Sequence, residues 1–194
     1  MGIFDVLKRR GLRSPHGIRC NGKRLSDILA AHEQFARGKE TGSRADLAGA
    51  DLSRADLRGA NLAYVNFQGV NLEGANLRDA KLASADLSNA RLCRADLRRA
   101  DLTEANLRGA DLTEAQVGGA ELFRADLRLA VLRRADFGAA NFRAAEIGGA
   151  DFEGAGMRTA ILRETNLEGA DLSGVDLSTA LLPRDYKAPS VAKS

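Results

Sequence analysis

The chain has 194 residues, 44% hydrophobic and 5% aromatic, with 20 Gly, 3 Pro and no Trp. That length suits one domain with a small appendage, and no apolar run is long enough to form a membrane-spanning helix. The formal net charge of +3 hides a division: residues 1–44 carry +6, residues 45–184 carry −4 and the last ten residues +1. A basic segment on a mildly acidic body gives no reason to expect a nucleic-acid partner.

The opening MGIFDVLKRRGLR reads as a basic arm, solvated or weakly amphipathic. It lacks an apolar signal core, so secretion by that route is not expected and a cytoplasmic location is. Next, GIRCNGKRL alternates apolar and polar residues around Asn21-Gly22, a tight hairpin signal that predicts a small strand pair added to the first coil. A helix is predicted over 26–37: Ser26 is placed as its N-cap, Asp27 in the favourable first turn, and Gly38 as its stop. Ile28, Ala31, His32 and Phe35 fall at helical spacing on one face. His32 in that row reads as a packing and hydrogen-bonding residue.

From Leu47 the chain repeats every five residues. All 28 positions from Leu47 to Leu182 are apolar, mostly Leu, with Phe67, Phe137, Phe142, Phe152, Val117, Ile147 and Met157 the substitutes. Two residues before each runs a second series, Ala at 24 positions, with Val65, Val70, Thr165 and Val175 the exceptions. Between the two lies most often Asp or Asn. A straight helix cannot use such a pattern, because five steps of about 100° end roughly 140° from the start. An extended strand cannot either, since five steps reverse the side chain. The pattern closes only where the chain turns a corner every five residues. Both series then face one interior, and the backbone pairs with the coils above and below. The Phe at 137, 142 and 152 predict a locally wider or differently stacked C-terminal half.

The run ADLAGADLSRADLRGANL, and ANLRGADLTEA later, resembles the pentapeptide-repeat proteins, whose motif is A(D/N)LXX. The resemblance covers residues 45–184. It implies an all-β fold, a right-handed quadrilateral parallel β-helix of about seven coils with four repeats in each. At an inter-strand spacing of ~4.8 Å the body would be roughly 34 Å long. It also implies that the Asp and Asn fix the corners, and that the helix at 26–37 is an N-terminal cap. The domains are therefore a basic N-terminal segment with its capping helix (1–44), the β-helix (45–184) and a tail (185–194).

Catalytic chemistry finds little support. The two His, His16 and His32, both precede the repeats, so no His-based triad can form over the body. The Asp positions follow the repeat rule, which argues against a paired-carboxylate site. Cys20 and Cys93 cannot build a disulfide framework and have no metal-site spacing; Cys93 is expected to be an exposed stray thiol. No enzyme activity, metal or cofactor is expected.

Surfaces remain. Residues 20 apart stack into columns. Asp46, Asn66, Asp86, Asn106, Asp126 and Glu146 make one; Arg58, Arg78 and Arg98 make another, joined by Arg99, with Arg91 and Arg94 on the preceding face. This basic group is a candidate surface for an acidic partner. The four faces sum to −3, −2, 0 and +1. Some pentapeptide-repeat proteins mimic DNA and bind DNA gyrase, protecting it from drugs; those tend to be acidic and loop-interrupted, so that role is the alternative here.

Phe123, Ile161 and Leu181, with Pro183, occupy outward positions on one face, and Leu129 and Val131 lie nearby. These form a candidate interface. The segment PRDYKAPSVAKS after Leu182 is too short and polar for a helical cap. Either Tyr186 and Val191 fold back over the last coil, or a second copy closes it as a homodimer. The reading is a non-enzymatic, rigid scaffold for protein–protein contact with an unidentified partner.

Overall fold

The computed structural model describes residues 11–186. Most of the basic arm (residues 1–10) and residues 187–194, including Pro189 and Val191, lie outside the described residues.

The body is a stack of 20-residue coils. Parallel bridges join corner residues 20 apart, from Asp46↔Asn66 and Asp51↔Asn71 through to Ile161↔Leu181. Each repeat has one job per position. The Ala-series residue and the Leu-series residue flank a corner residue in extended backbone, so alternation turns both inward and the Asp or Asn outward. Through the first six coils almost every inward side chain is buried; Leu107, Phe137 and Ala105 are 0% exposed. The Ala series has to be small because a narrow lumen cannot hold two large side chains per face.

Two residues then make the turn, closed by bonds such as Ala50 N–H to the Leu47 carbonyl at 3.1 Å. The second turn residue lies in the left-handed region, as a type II turn requires. Sixteen non-glycine residues take this conformation in the repeats, among them Arg54, Tyr64, Arg99, Leu129 and Thr159. All but two are held there by their own amide, which donates to a carbonyl of the coil above, as Arg94 does to Thr113 at 2.9 Å; Thr159 donates instead to the Thr179 hydroxyl, and Glu164 makes no such bond among the described residues. The left-handed conformation costs a non-glycine residue about 1–2 kcal/mol. Ala139 and Ala144 (φ 57° each), exposed and half-buried respectively, carry that cost. Ala139→Gly and Ala144→Gly should therefore each raise stability by about 0.5 kcal/mol or more after the extra unfolded-state entropy is deducted, read as an upward shift of the urea midpoint. The reverse change, Gly109→Ala, puts a Cβ 2.7 Å from the Asn89 Oδ1 and should lower it.

The Asp and Asn complete the corner. Their Oδ1 accepts the amide of the residue two ahead: Ser53 to Asp51 at 3.0 Å, Arg78 to Asn76 at 3.2 Å, Ser88 to Asp86 at 3.0 Å. This Asx turn satisfies an N–H that the ladder leaves pointing outward.

The seventh coil is looser. Leu167, Leu172, Val175, Leu177 and Leu182 are only partly buried, and no bridge joins Gly156 to Asp176 among the described residues. Below it, Phe137, Phe142 and Phe152 meet with ring centroids 5.1–6.0 Å apart. Thr165, standing in an Ala position, donates its hydroxyl to the Phe142 carbonyl.

At the other end the chain enters along the first coil. Arg13 bridges to Ala55: its amide donates to Arg54 and its carbonyl accepts from Asp56. A 3₁₀ turn (Pro15–Gly17) leads to a hairpin of β1 (Arg19–Cys20) and β2 (Lys23–Arg24), turned by Asn21 and Gly22, both at positive φ. The hairpin pairs only with itself; the strand pairing with the coil comes from Arg13. Helix α1 (Leu25–Ala36) follows directly.

The N-cap of α1 is Arg24, which makes no side-chain capping bond, and not Ser26. Because β2 runs straight into the helix, with Leu25 N–H already bonded to the Ile18 carbonyl, Ser26 falls inside it and its hydroxyl turns to Asp27. The stop is at Gly38 (φ 69°), in a Schellman arrangement: Gly38 donates to Phe35 and Lys39 to Gln34. The face of α1 on the first coil is Leu25, Ile28, Leu29 and His32, while Phe35 is 39% exposed at its rim. The return segment crosses the helix so closely that a Cβ on Gly42 would stand 2.0 Å from the Phe35 nitrogen.

Candidate interaction surfaces

The proposed basic group does not present free charge. Arg58 and Arg98 each reach back to the corner carboxylate two residues earlier, Asp56 and Asp96, with two bonds of 2.6–2.9 Å. Arg99 clasps Asp79 one coil away at 2.7 and 2.6 Å, and Arg78 stands 3.7 Å from the same carboxylate. Arg94 pairs with Glu114 at 2.9 Å and Glu73 at 3.7 Å, and Arg91 with Glu73 at 3.3 Å. Further pairs, Arg128–Asp126, Arg128–Glu146, Arg124–Glu104 and Arg143–Glu164, continue the ladders along the stack. The Arg128 guanidinium holds the Asp126 carboxyl below its usual range. Arg58, Arg78 and Arg98 find their carboxylates within their own coil, whereas Arg91, Arg94 and Arg99 reach theirs across the stack, a relation the sequence columns do not show. Pairs this exposed are screened by solvent and add little to stability. Their effect is to neutralise the faces.

The column Asp46, Asn66, Asp86, Asn106 is a hydrogen-bonded ladder, Asn66 Nδ2 donating to Asp46 at 2.9 Å and Asn106 to Asp86 at 3.0 Å. It binds coil to coil.

The apolar candidates separate into two places. Phe123 is half-buried beneath two guanidiniums, with Arg124 4.9 Å and Arg143 6.0 Å from its ring centroid. Ile161 and Leu181 bridge to each other, and Leu181 is 46% exposed at the looser end. Pro183 lies there as well, lining a depression of about 630 Å³ with Glu164, Glu168, Asp185 and Tyr186. The lumen itself opens beside it, a cavity of about 460 Å³ among Leu167, Leu172, Val175, Leu177 and Tyr186. Tyr64 and Leu129 are exposed elsewhere, each on a turn at positive φ.

Cys93 is half-buried, with Sγ 4.0 Å from the Asp111 carbonyl, and burial and that neighbour push its thiol up to about 11. It is not the exposed thiol the repeat position predicts, and it is a poor nucleophile. No group of three His, Cys, Asp or Glu side chains could hold a metal ion among the described residues.

In α1, Ile28 packs on the first coil, Ala31 is half-buried, and His32 is 0% exposed with Phe35 stacked on it at 5.8 Å. Its Nδ1 accepts the Ala45 amide at 3.2 Å. Leu25 and Leu29, which share this face, were legible at i, i+4 spacing but lie outside the row chosen from sequence.

The family model for pentapeptide repeats matches residues 43–79, 80–116, 120–158 and 140–178. Among solved structures the chain is similar to HetL, a pentapeptide repeat protein involved in heterocyst differentiation regulation in the cyanobacterium Nostoc sp. strain PCC 7120. Identity is 43% over 72% of this chain and 64% of HetL, with a TM-score of 0.70. It is also similar to a pentapeptide repeat protein of the Arabidopsis thaliana thylakoid lumen (36% identity, 50% of this chain and 63% of that one, TM-score 0.26). QnrB1, a plasmid-mediated fluoroquinolone resistance protein, matches at 18% identity over 73% of this chain and 84% of its own, with a TM-score of 0.35. The chain thus spans 64% of the length of HetL. No curated protein matches it in sequence.

Proposed function

The chain belongs to the pentapeptide-repeat family, and from that premise we propose that it is a non-enzymatic, right-handed quadrilateral β-helix that serves as a rigid scaffold for protein–protein contact. In this reading α1 caps the first coil, and a second copy closes the last one. The observation that carries it is the contrast between the faces and the C-terminal end. The faces are ion-paired and hydrogen-bonded within themselves, whereas the end offers the Leu167–Leu177 lumen and Leu181 to whatever covers it. A parallel β-helix end is a row of unpaired backbone groups around apolar side chains, a template that a soluble protein has to cover. Two-fold closure is the simplest solution, each copy supplying what the other lacks. Gyrase binding by DNA mimicry, the alternative, calls for a strong field of unpaired carboxylates along one face. The Arg–carboxylate ladders work against such a field.

The test is light scattering across a concentration series, with Leu181→Glu alongside. The wild type should scatter as a dimer, and Leu181→Glu, which leaves both interior series intact, should halve the mass without lowering the melting temperature by more than a few degrees. A wild type that stays monomeric at high concentration overturns the dimer.

A further inference from the structure

His32 holds a position that packing alone does not explain. Its ring is wholly buried between α1 and the first coil, and Nε2 makes no well-formed hydrogen bond among the described residues, facing only the Ala63 backbone. Nδ1 accepts the amide of Ala45, the first residue of the first repeat. An accepting Nδ1 carries no proton, so the imidazole has to be neutral with its hydrogen on Nε2. Protonation of Nδ1 would turn that acceptor into a donor facing the Ala45 N–H, and would leave a charge in a dry contact.

We propose that His32 is a proton-operated latch: on acidification it releases α1 from the first coil. The proposal rests on the reading of α1 as a cap. The charged groups that face the ring are Glu33 on its own helix and Arg44 on the segment leading into the coil; from the coil itself it meets the Ala63 backbone. Burial, the largest influence, pushes the imidazole below its ordinary value, with Arg44 acting the same way and the Ala63 backbone and Glu33 opposing.

The sign follows. Above the ordinary histidine value of about 6.5 both the latched and the released ring are neutral, and the latch holds fully. Below it the released ring gains a proton that the latched ring does not. The latched fraction relative to the released one then falls about tenfold per pH unit until the buried ring titrates too. His16 sits on an exposed turn, outside this contact. Catalysis is a poor reading of His32, since no solvent or substrate reaches a ring that is 0% exposed.

Hydrogen exchange on the full chain tests this. Protection factors for α1 amides, corrected for intrinsic rates, are measured from pH 8 to pH 5, with amides of residues 85–130 as the reference for global unfolding. Wild-type α1 should lose protection about tenfold per unit below pH 6.5 while the reference holds. His32→Asn, whose amide oxygen can accept from Ala45 without titrating, should be flat over the same range. His32→Leu should be less protected throughout and also flat. A flat wild-type profile, or the same slope in His32→Asn or His32→Leu, overturns the latch and leaves the cap standing. An α1 that is unprotected even at pH 8 overturns the cap, and the latch with it.

Discussion

Leu107→Asp should abolish the folded body, not merely weaken it. Leu107 is 0% exposed, in the middle of the stack, and its face continues through Leu87 below and Leu127 above. A carboxylate there has no partner, since the lumen is filled by the Leu and Ala series on all four sides. Leaving a charge unpaired in such a place costs several kcal/mol or more, comparable to the whole ~5–15 kcal/mol stability of a domain of this size. The control is Leu107→Ala, which creates a cavity worth roughly 2–5 kcal/mol and should leave the protein folded but less stable. The two variants separate the cost of charge from the cost of volume. In a stack where each coil touches only its neighbours, a failed central coil divides the body into two short halves, neither with a large core. Circular dichroism should show loss of the β signal in Leu107→Asp, with aggregation on sedimentation. A soluble, fully folded Leu107→Asp protein would refute the two-series interior.

Deleting residues 1–38 should give the second largest effect. It removes every contact that α1, the hairpin and Arg13 make with the first coil. The Asp56 amide loses the Arg13 carbonyl, the Ser53 carbonyl loses the Arg13 guanidinium, and the Ala45 amide loses His32. Leu47, 1% exposed in the intact chain, then lies at an open end beneath an unpaired edge. Each backbone group left without a partner costs about 1 kcal/mol or more where water is poorly admitted, and the uncovered apolar area adds to it. The melting temperature should drop by several degrees, and the sample should grow aggregates in light scattering at concentrations where the intact chain is clear. An unchanged melt with a monodisperse sample would show that the N-terminal segment is dispensable.

The period of five was enough to place nearly every interior residue, because an interior position repeated in strict register leaves the chain no other geometry that satisfies it. Leu52 and Ala55 needed no tertiary information to be set inside, nor did Asp51 to be set at a corner. Asn21-Gly22 likewise announced its turn locally. What sequence could not decide were relations between coils and between segments. The six Arg of the basic group are conspicuous in the sequence, but whether Arg99 meets solvent or Asp79 depends on side-chain reach across the stack. Phe123 reads as an exposed apolar residue until Arg124 and Arg143 are seen to cover it. The cap of α1 misled for a similar reason: Ser26 is a good N-cap locally, yet the hairpin hands the chain to the helix at Arg24, and a tertiary bond from Leu25 to Ile18 overrides the local preference. His32 shows the division most clearly. Its spacing put it on the inner face, but its neutral, accepting state follows only from Ala45, thirteen residues away, arriving with an amide that has no other acceptor.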